Sequence, residues 1–152
     1  WGDNYHYRFG ANHRSFAQRL IGEAGVDLIH GHSAHHVRGI EVYRGRLILY
    51  GCGDFVNDYE GTLKKLNRIS LAPDLGLIYL ARFAAADGRL RGLEMHPIRM
   101  RRLQVRRAGD RDAMRLAALM NREGAEFDTQ VTLDRGTLKL TWQDASADAP
   151  GE

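Results

Sequence analysis

The sequence predicts a mixed α/β fold whose C-terminal part follows the α+β pattern, and three observations predict it. Residues 14–24 place apolar side chains at helical spacing, and the short β-rich run 26–30 follows directly. Two further β-rich runs flank Arg44-Gly45, a pair typical of a tight hairpin. Residues 110–123 carry a second amphipathic helical pattern. Apolar residues make up 43% of the chain, which is enough to bury a core.

The first predicted helix and strand lead into a polar loop. The helix over residues 14–24 is expected to end near Gly25, because glycine is a typical C-terminal cap. The strand at 26–30 ends at Gly31, and three histidines follow at once. Since open α/β sheets bind ligands beyond the carboxyl ends of their strands, this loop is the first candidate for a site. Two more strands, at 39–43 and 46–50, follow it as a hairpin.

Antiparallel strands are predicted to dominate the second half of the chain. The turn signal Asp87-Gly88 separates the first two of them, and Pro97 is expected to interrupt the second. The apolar alternation then slips at Arg101-Arg102, which suggests a β-bulge. The predicted elements are, in order, strands at 75–85 and 89–96, the helix at 110–123, and a hairpin over 129–142 around Asp134-Arg135-Gly136.

Composition indicates a globular protein and leaves its compartment open. The 152 residues fit one domain, assigned to residues 1–143, with a flexible tail at 144–152. The formal net charge of +3 is too weak to argue for nucleic acid. A single cysteine excludes an internal disulfide, and no apolar run approaches the ~20 residues that span a bilayer. Because the sequence starts at Trp1 without a methionine, an N-terminal segment is expected to be missing. A cytoplasmic or a membrane-associated location at the cell surface would depend on that segment.

The principal candidate site is the segment Gly31-His32-Ser33-Ala34-His35-His36. Imidazole is the commonest neutral metal ligand, and a loop can direct His32 and His35 at one ion. His36 could be a ligand, a general acid, or a group that holds another ligand in its tautomer. The alternative for the whole cluster is a set of surface histidines, or histidines hydrogen-bonded to nearby backbone.

Other polar residues could join such a site. Asp54 and Asn57 lie just beyond the strand that ends in Gly51-Cys52-Gly53, and they offer oxygen ligands or hydrogen-bond partners. A weaker group near the N-terminus could ligate or orient, although an ordinary polar loop is the simpler interpretation. It is the segment Trp1-Gly2-Asp3-Asn4-Tyr5-His6, in which Asp3, Asn4 and His6 offer the side chains.

Two further features have simple interpretations. Cys52 has no histidine partner at a recognisable spacing, so a small buried side chain is favoured over a reactive thiol. A run of arginines is most simply a solvated strand face, and the alternative is a surface for an anionic polymer. Its members are Arg99, Arg101, Arg102, Arg106 and Arg107.

Three motifs follow one another within residues 1–55. Residues 31–41 carry Gly-His-x-x-His-x-x-x-Gly-Ile-Glu, and residues 49–55 read Leu-Tyr-Gly-Cys-Gly-Asp-Phe. Trp1-Gly2 look like the end of a His-Trp-Gly motif. Together they resemble the CapA family, the poly-γ-glutamate capsule-synthesis proteins of bacteria. In that family a Tyr-Ser-Leu-Gly-Asn-Phe segment follows a short hairpin at the same distance.

The resemblance implies a fold and a metal centre. CapA proteins are similar to the calcineurin-like metallophosphatases, so this chain would be the C-terminal part of a β-sandwich flanked by helices. His32 and His35 would then hold a divalent transition metal, Mn, Fe or Zn, with two ions in the full-length protein. Glu41 would be a structural or supporting carboxylate. The remaining ligands would lie on earlier strands, outside this chain.

The chain departs from the family pattern at three positions. Asp54 stands where the family usually has asparagine, which adds a negative charge near the site and makes Asp54 either a modifier of metal preference or a hydrogen-bond acceptor alone. His36 replaces a commoner apolar residue. Ala34 replaces a proline, so the loop is expected to be less rigid.

Two functional hypotheses follow. The leading one is a metal-dependent hydrolase of the phosphoesterase type, in which His32 and His35 hold metal and His36 donates a proton to the leaving group. Its substrate would be a phosphoester, or an amide such as poly-γ-glutamate contains. The alternative is a non-catalytic accessory protein for the assembly or export of an anionic polymer, in a capsule-synthesis membrane complex. No nucleic-acid partner is expected, because no recognisable motif supports one.

Overall fold

The computed structural model describes residues 6–8, 10–57, 72 and 74–143. This part of the chain contains a three-stranded sheet, a five-stranded sheet and two α-helices, which confirms the mixed α/β class. The candidates Trp1, Asp3 and Asn4 and the predicted tail at 144–152 lie outside the described residues. The elements are α1 (Ala11–Gly22), β1 (Leu28–His30), β2 (Ile40–Tyr43), β3 (Arg46–Leu49), β4 (Leu75–Phe83), β5 (Leu90–Arg101), β6 (Gln104–Arg107), α2 (Asp110–Gly124), a short 3-10 helix (Ala125–Phe127), β7 (Thr129–Asp134) and β8 (Thr137–Trp142).

The three-stranded sheet has the order β1-β3-β2 and positions the histidine loop. β1 runs parallel to β3, with His30 opposite Leu49, and β2 pairs with β3 in the antiparallel sense. The predicted tight hairpin joins β2 to β3, because Arg44 and Gly45 both adopt positive φ values, 51° and 76°. Two positive φ values in succession match the right-handed twist of the flanking strands.

The two faces of this sheet belong to different cores. Ile48 and Tyr50 face α1 and pack in a small cluster with Ala17. Leu47 and Leu49, one position away, enter the main core. That core also takes residues from the five-stranded sheet and from α2, among them Leu77, Met95, Leu116 and Leu138. Since successive strand residues point to opposite faces, a one-residue step decides which core a side chain joins.

The five-stranded sheet has the order β4-β5-β8-β7, and β6 pairs with β5. Pro97 was expected to interrupt its strand, and this expectation is wrong, since β5 continues to Arg101. The carbonyl of Pro97 accepts a hydrogen bond from Ala108 N–H, on the side away from its partner Leu77 in β4. The missing N–H of Pro97 faces that same side, so proline removes no β4–β5 hydrogen bond.

The prediction of a β-bulge at Arg101-Arg102 is also wrong. Arg102 and Leu103 form a two-residue turn with φ values of 54° and 57°, and it joins β5 to β6 as a hairpin. The register shift of this sheet lies elsewhere, between Arg82 and Phe83. The turn predicted at Asp134-Arg135-Gly136 is confirmed, since Arg135 and Gly136 connect β7 to β8 with positive φ, and Gly88 in the turn predicted between β4 and β5 also has a positive φ, 66°.

The second helix begins at its predicted position, Asp110, whereas the first begins before its predicted start. α1 starts at Ala11, three residues before the apolar pattern, and the chain leaves it through Gly25 at φ 72°. α2 carries Asp110 and Asp112 in its first turn, where negative charge favours the helix dipole. Within the described part of the chain, no helix combines the length and apolar character needed to cross a membrane.

Candidate functional site

The histidine loop leaves the first sheet through a position that only glycine can occupy. Gly31 N–H donates to the Leu49 carbonyl at 2.7 Å. A Cβ atom at Gly31 would lie 2.8 Å from the Tyr50 carbonyl oxygen, closer than such atoms approach. The start of the loop is therefore held directly against the end of β3.

Backbone pairing brings the loop and the segment after β3 together. Val37 pairs with Cys52 in an antiparallel bridge, and Arg38 N–H donates to the Gly51 carbonyl at 2.9 Å. Gly53 adopts a φ of 71°, which redirects the chain just before Asp54. The two motifs singled out in the sequence thus form one site, although 19 residues separate His35 from Asp54.

The centre of this site is a hydrogen-bonded group of His35, Asp54 and Asn57. His35 Nδ1 lies 3.0 Å from Asp54 Oδ2 and 3.2 Å from Oδ1. Asn57 donates from Nδ2 to the same Oδ2 at 2.6 Å. The His35 and Asp54 side chains are 23% and 20% exposed, so solvent reaches both. A carboxylate bound to one ring nitrogen fixes the orientation of the imidazole.

The loop backbone is unusual at this point. Ser33 and His35 both have positive φ values, 84° and 60°, which residues other than glycine rarely adopt. Non-glycine residues keep such conformations only where the surrounding contacts impose them, and they concentrate at functional sites. The Asp54 contact and the adjoining bridge of Val37 supply those constraints.

His32 lies on the same loop with an exposed side chain. Among residues 6–8, 10–57, 72 and 74–143, no three His, Cys, Asp or Glu side chains form a group that could hold a metal ion. His32, His35 and Asp54 therefore make no three-ligand set by themselves. Because a catalytic zinc site usually has three protein ligands, these residues could serve only as contributors to a larger centre.

His36 is buried, unlike its neighbour His35. Its Nδ1 lies 2.6 Å from the Ala34 carbonyl, and its ring meets Tyr7 edge-on with 4.7 Å between centroids. Burial lowers the pKa of His36 to about 4, and the charge of Arg38 acts in the same direction, while backbone carbonyl groups oppose them. The imidazole is therefore neutral at pH 7. Its role as the catalytic proton donor stays a prediction, and this position does not support it.

Glu41 lies on the face of the three-stranded sheet that packs against α1. Its Oε1 accepts hydrogen bonds from Arg14 at 2.9 Å and from Gln18 at 2.8 Å, and its Oε2 accepts from the Tyr50 hydroxyl at 2.6 Å. Burial raises the pKa of Tyr50 well above its usual range, and the hydrogen bond to Glu41 raises it further. Phe127 stacks on Tyr50 with 5.2 Å between ring centroids. Of the two roles considered for Glu41, this geometry is the structural one.

Two neighbours of the site complete the description. Arg38, which the sequence did not single out, is buried and donates from Nε to the His6 carbonyl at 2.9 Å. The only sequence signal for it is its position between the histidines and Gly39-Ile40-Glu41. Cys52 is buried as expected, and burial raises the pKa of its thiol to about 12. A thiol with so high a pKa is no nucleophile at neutral pH.

Comparisons with known proteins point to the same segment. Residues 1–59 match the family "Bacterial capsule synthesis protein PGA_cap". A probable polyglutamine synthesis accessory protein of Mycobacterium tuberculosis is 43% identical over 131 residues, which cover 86% of this chain and 33% of that protein. The PGA biosynthesis protein CapA of Bacillus subtilis is 41% identical over 62 residues, or 41% of this chain and 16% of that protein.

A third relative, the capsule biosynthesis protein CapA of Bacillus anthracis, is 32% identical over 65 residues, which cover 43% of this chain and 16% of that protein. The chain thus spans about a third or less of the length of these relatives. The match at residues 1–59 includes the histidine loop, Asp54 and Asn57. By this match and these relatives, the chain belongs to the CapA family of bacterial capsule synthesis proteins.

Proposed function

We propose that the protein acts in the synthesis of a polyglutamate-type capsule polymer, and that its histidine loop contributes to a metal-dependent hydrolytic site. The observation that carries the proposal is the contact between His35 Nδ1 and Asp54 at 3.0 Å. The choice of polymer is based on the names of its relatives, which refer to capsule, PGA and polyglutamine synthesis.

The His35–Asp54 pair fits the way proteins prepare a histidine to bind metal. Such a histidine usually bonds one ring nitrogen to a carboxylate, which fixes its tautomer and makes the other nitrogen more basic. Nδ1 is the nitrogen bound to Asp54, so His35 would coordinate through Nε2. Asn57 in turn holds Asp54 Oδ2, and the exposed His32 would be the second ligand from this loop.

In this proposal the described residues supply only some of the metal ligands, and other residues of the full-length protein supply the rest. A bound divalent transition metal would supply a water of pKa about 7 and would stabilise negative charge on the substrate. His35 and His32 would hold it, and Asp54 would keep the His35 ring in place. His36 is a buried, neutral group, so this proposal assigns no proton transfer to it.

A second candidate is a non-catalytic accessory protein for polymer assembly or export. The observation that favours it is the lack of any three-ligand group among the described residues. In that case the His35–Asp54 pair would stabilise the loop alone.

The experiment uses a strain from which the gene has been deleted and then restored on a plasmid. Amino-acid analysis of the cell-surface polymer compares wild type, His32→Ala with His35→Ala, and the control His96→Ala, whose side chain lies in the five-stranded sheet beside Thr137. Polymer loss in the double variant alone supports the hydrolytic site. Full polymer with the double variant identifies the non-catalytic role, and unchanged polymer in the deletion strain overturns both.

Elemental analysis of the purified full-length protein tests the metal directly. We expect about two transition-metal ions per chain. The substitutions His32→Ala and His35→Ala should together remove most of one ion, while His96→Ala removes none. Equal metal content in all three proteins would refute a metal-binding role for the loop.

A further inference from the structure

The positive charge of the chain is concentrated in one stretch, residues 99–115. Residues 99–115 contain seven arginines and two aspartates, a formal net charge of +5, whereas the whole chain carries +3. The remainder of the protein is therefore slightly acidic. A local excess of this size attracts polyanions even when the net charge of the protein is small.

The hairpin of β5 and β6 places several of these arginines on one face. Arg99 and Arg106 are direct cross-strand partners, and Arg101 follows two residues after Arg99. Residues that pair across strands, or lie two apart along a strand, share a face of the sheet. All of β6 is exposed.

A groove lies where the first turns of α2 meet Arg99 of this basic surface. Arg111 and Arg115 lie one helical turn apart, and both side chains are exposed. With Arg99, Asp112 and Met114 they line a groove of about 820 Å³. An open groove of this size accommodates a stretch of an extended chain.

Within the described residues, most of this charge is not neutralised by ion pairs. Arg99 pairs with Asp112 at 2.8 Å and with Asp74 at 3.1 Å, which fixes it in the floor of the groove. In the described part of the chain, no carboxylate pairs with the remaining six arginines of the stretch, at positions 101, 102, 106, 107, 111 and 115. Guanidinium groups bind carboxylates through two parallel hydrogen bonds, so they are suited to an acidic polymer.

We propose that this groove, lined by Arg99 of β5 and the first turns of α2, binds a polycarboxylate chain of the polyglutamate type, and that the exposed arginines of the β5–β6 hairpin extend the basic surface beyond it. The choice of polymer rests on the proposed function, whereas the location of the binding site rests on the groove and its charge. Exposed apolar side chains at Leu103 and Met114 lie among the arginines and match the methylene groups of glutamyl units. Residues 99–115 contain no aromatic side chain on which a base could stack, so a single-stranded nucleic acid fits less well.

Fluorescence anisotropy of the full-length protein with fluorescein-labelled polyglutamate tests the groove. The variant Arg111→Gln with Arg115→Gln removes two charges from the groove and keeps residues that favour a helix. The matched control, Arg19→Gln with Arg91→Gln, removes two exposed charges elsewhere. We expect about tenfold weaker binding for the groove variant and almost unchanged binding for the control, with affinity falling as salt rises.

Two further measurements complete the test. The hairpin variant Arg101→Gln with Arg106→Gln leaves α2 untouched and should weaken binding to a similar degree, which covers the case in which the first variant folds poorly. Oligothymidylate of matched length should bind more weakly than polyglutamate. Absent polyglutamate binding, equal losses in groove and control variants, or tighter binding of the oligonucleotide would each overturn the proposal.

The failure of this proposal differs from failure of the proposed function. If the groove variant loses polyglutamate binding in vitro and also lowers surface polymer in the deletion strain, both stand. If deletion of the gene leaves the polymer unchanged while the purified protein binds polyglutamate at the groove, the function falls and the binding surface stands. If wild type restores polymer but no protein binds polyglutamate, the groove falls and the function stands.

Discussion

Glu41 and Asp54 are two carboxylates near the same sheet, and the structure gives them different surroundings. Glu41 is 5% exposed and receives hydrogen bonds from Arg14, Gln18 and Tyr50. Asp54 is 20% exposed and has an imidazole, His35, and one amide, Asn57, as its partners. The first carboxylate joins α1 to the sheet, whereas the second orients a side chain that solvent reaches.

The difference shows how a carboxylate near a candidate site can be assigned. A buried carboxylate that permanent donors surround costs a large amount of free energy to disturb, because its donors lose their partner as well. A partly exposed carboxylate on an imidazole costs little to change and mainly sets the orientation of the ring. Substitutions at each position should therefore separate stability from function.

The largest expected effect is that of Glu41→Ala. The substitution leaves the buried Tyr50 hydroxyl, the partly buried Gln18 amide and the charge of Arg14 without their acceptor, so the free energy of unfolding should fall by about 3 kcal/mol. Asp54→Ala, at a more exposed site, should lower it by about 1 kcal/mol or less. Urea unfolding followed by circular dichroism compares the two, and equal losses would contradict the distinction.

The second effect concerns pH and the buried imidazole of His36. Burial lowers the pKa of His36 to about 4 in the folded state, against an ordinary value of 6.5. The unfolded state therefore binds more protons between these values, and the free energy of unfolding decreases as the pH falls from about 7 to about 4. The contribution amounts to about 3 kcal/mol.

The measurement is urea unfolding as a function of pH, with a chelator present to remove bound metal. His36→Leu removes the titrating group, and its stability should vary much less over this interval. The same slope in the variant and the wild type would assign the pH dependence to other groups.

The third effect is steric and lies beside the Glu41 network. A Cβ atom on Gly39 would lie 2.6 Å from Phe127 Cε2 and 2.7 Å from the Glu123 carbonyl oxygen. Gly39→Ala should displace the Phe127 ring, which stacks on Tyr50, and lower the free energy of unfolding by about 2 kcal/mol. Gly109→Ala is the control, because no atom lies within 4 Å of the added methyl group. Thermal denaturation of both variants decides between strain and a general glycine effect.

The smallest effect on stability is expected for Asp54→Asn. Asparagine keeps an acceptor for the His35 ring, so the free energy of unfolding should change by about 0.5 kcal/mol or less. The affinity of the full-length protein for a transition metal, measured by competition with a chelator, should nevertheless fall by about tenfold. An unchanged affinity would remove Asp54 from the proposed metal centre.

Part of the fold could be predicted from local sequence, and the turns show which part could not. Arg44-Gly45 and Arg135-Gly136 were predicted as turns, because glycine marks a position with positive φ. Arg102-Leu103 makes the same kind of two-residue turn without glycine or asparagine, so the sequence suggested a bulge instead. The side of a strand that needs no N–H is likewise invisible in sequence, which explains the wrong expectation at Pro97.

Part of the candidate site could likewise be predicted from the sequence, and part could not. Its place after β1, and the approach of Asp54 to the histidine loop, could be predicted from the order of the motifs. The burial of His36 depends on packing against Tyr7, 29 positions earlier in the chain, and that of Glu41 depends on donors from α1. Such contacts between distant segments leave no periodic signal in the sequence. Arg38 was missed for the same reason.

Cys52 gives this protein a built-in reporter of local opening. It is the sole cysteine of the chain, its thiol is buried, and its backbone forms the bridge to Val37, directly after the histidine loop. A maleimide can react only with molecules in which that bridge has separated, because the buried thiol does not ionise at neutral pH. The labelling rate therefore counts openings of the site, and a ligand that closes the loop would slow it.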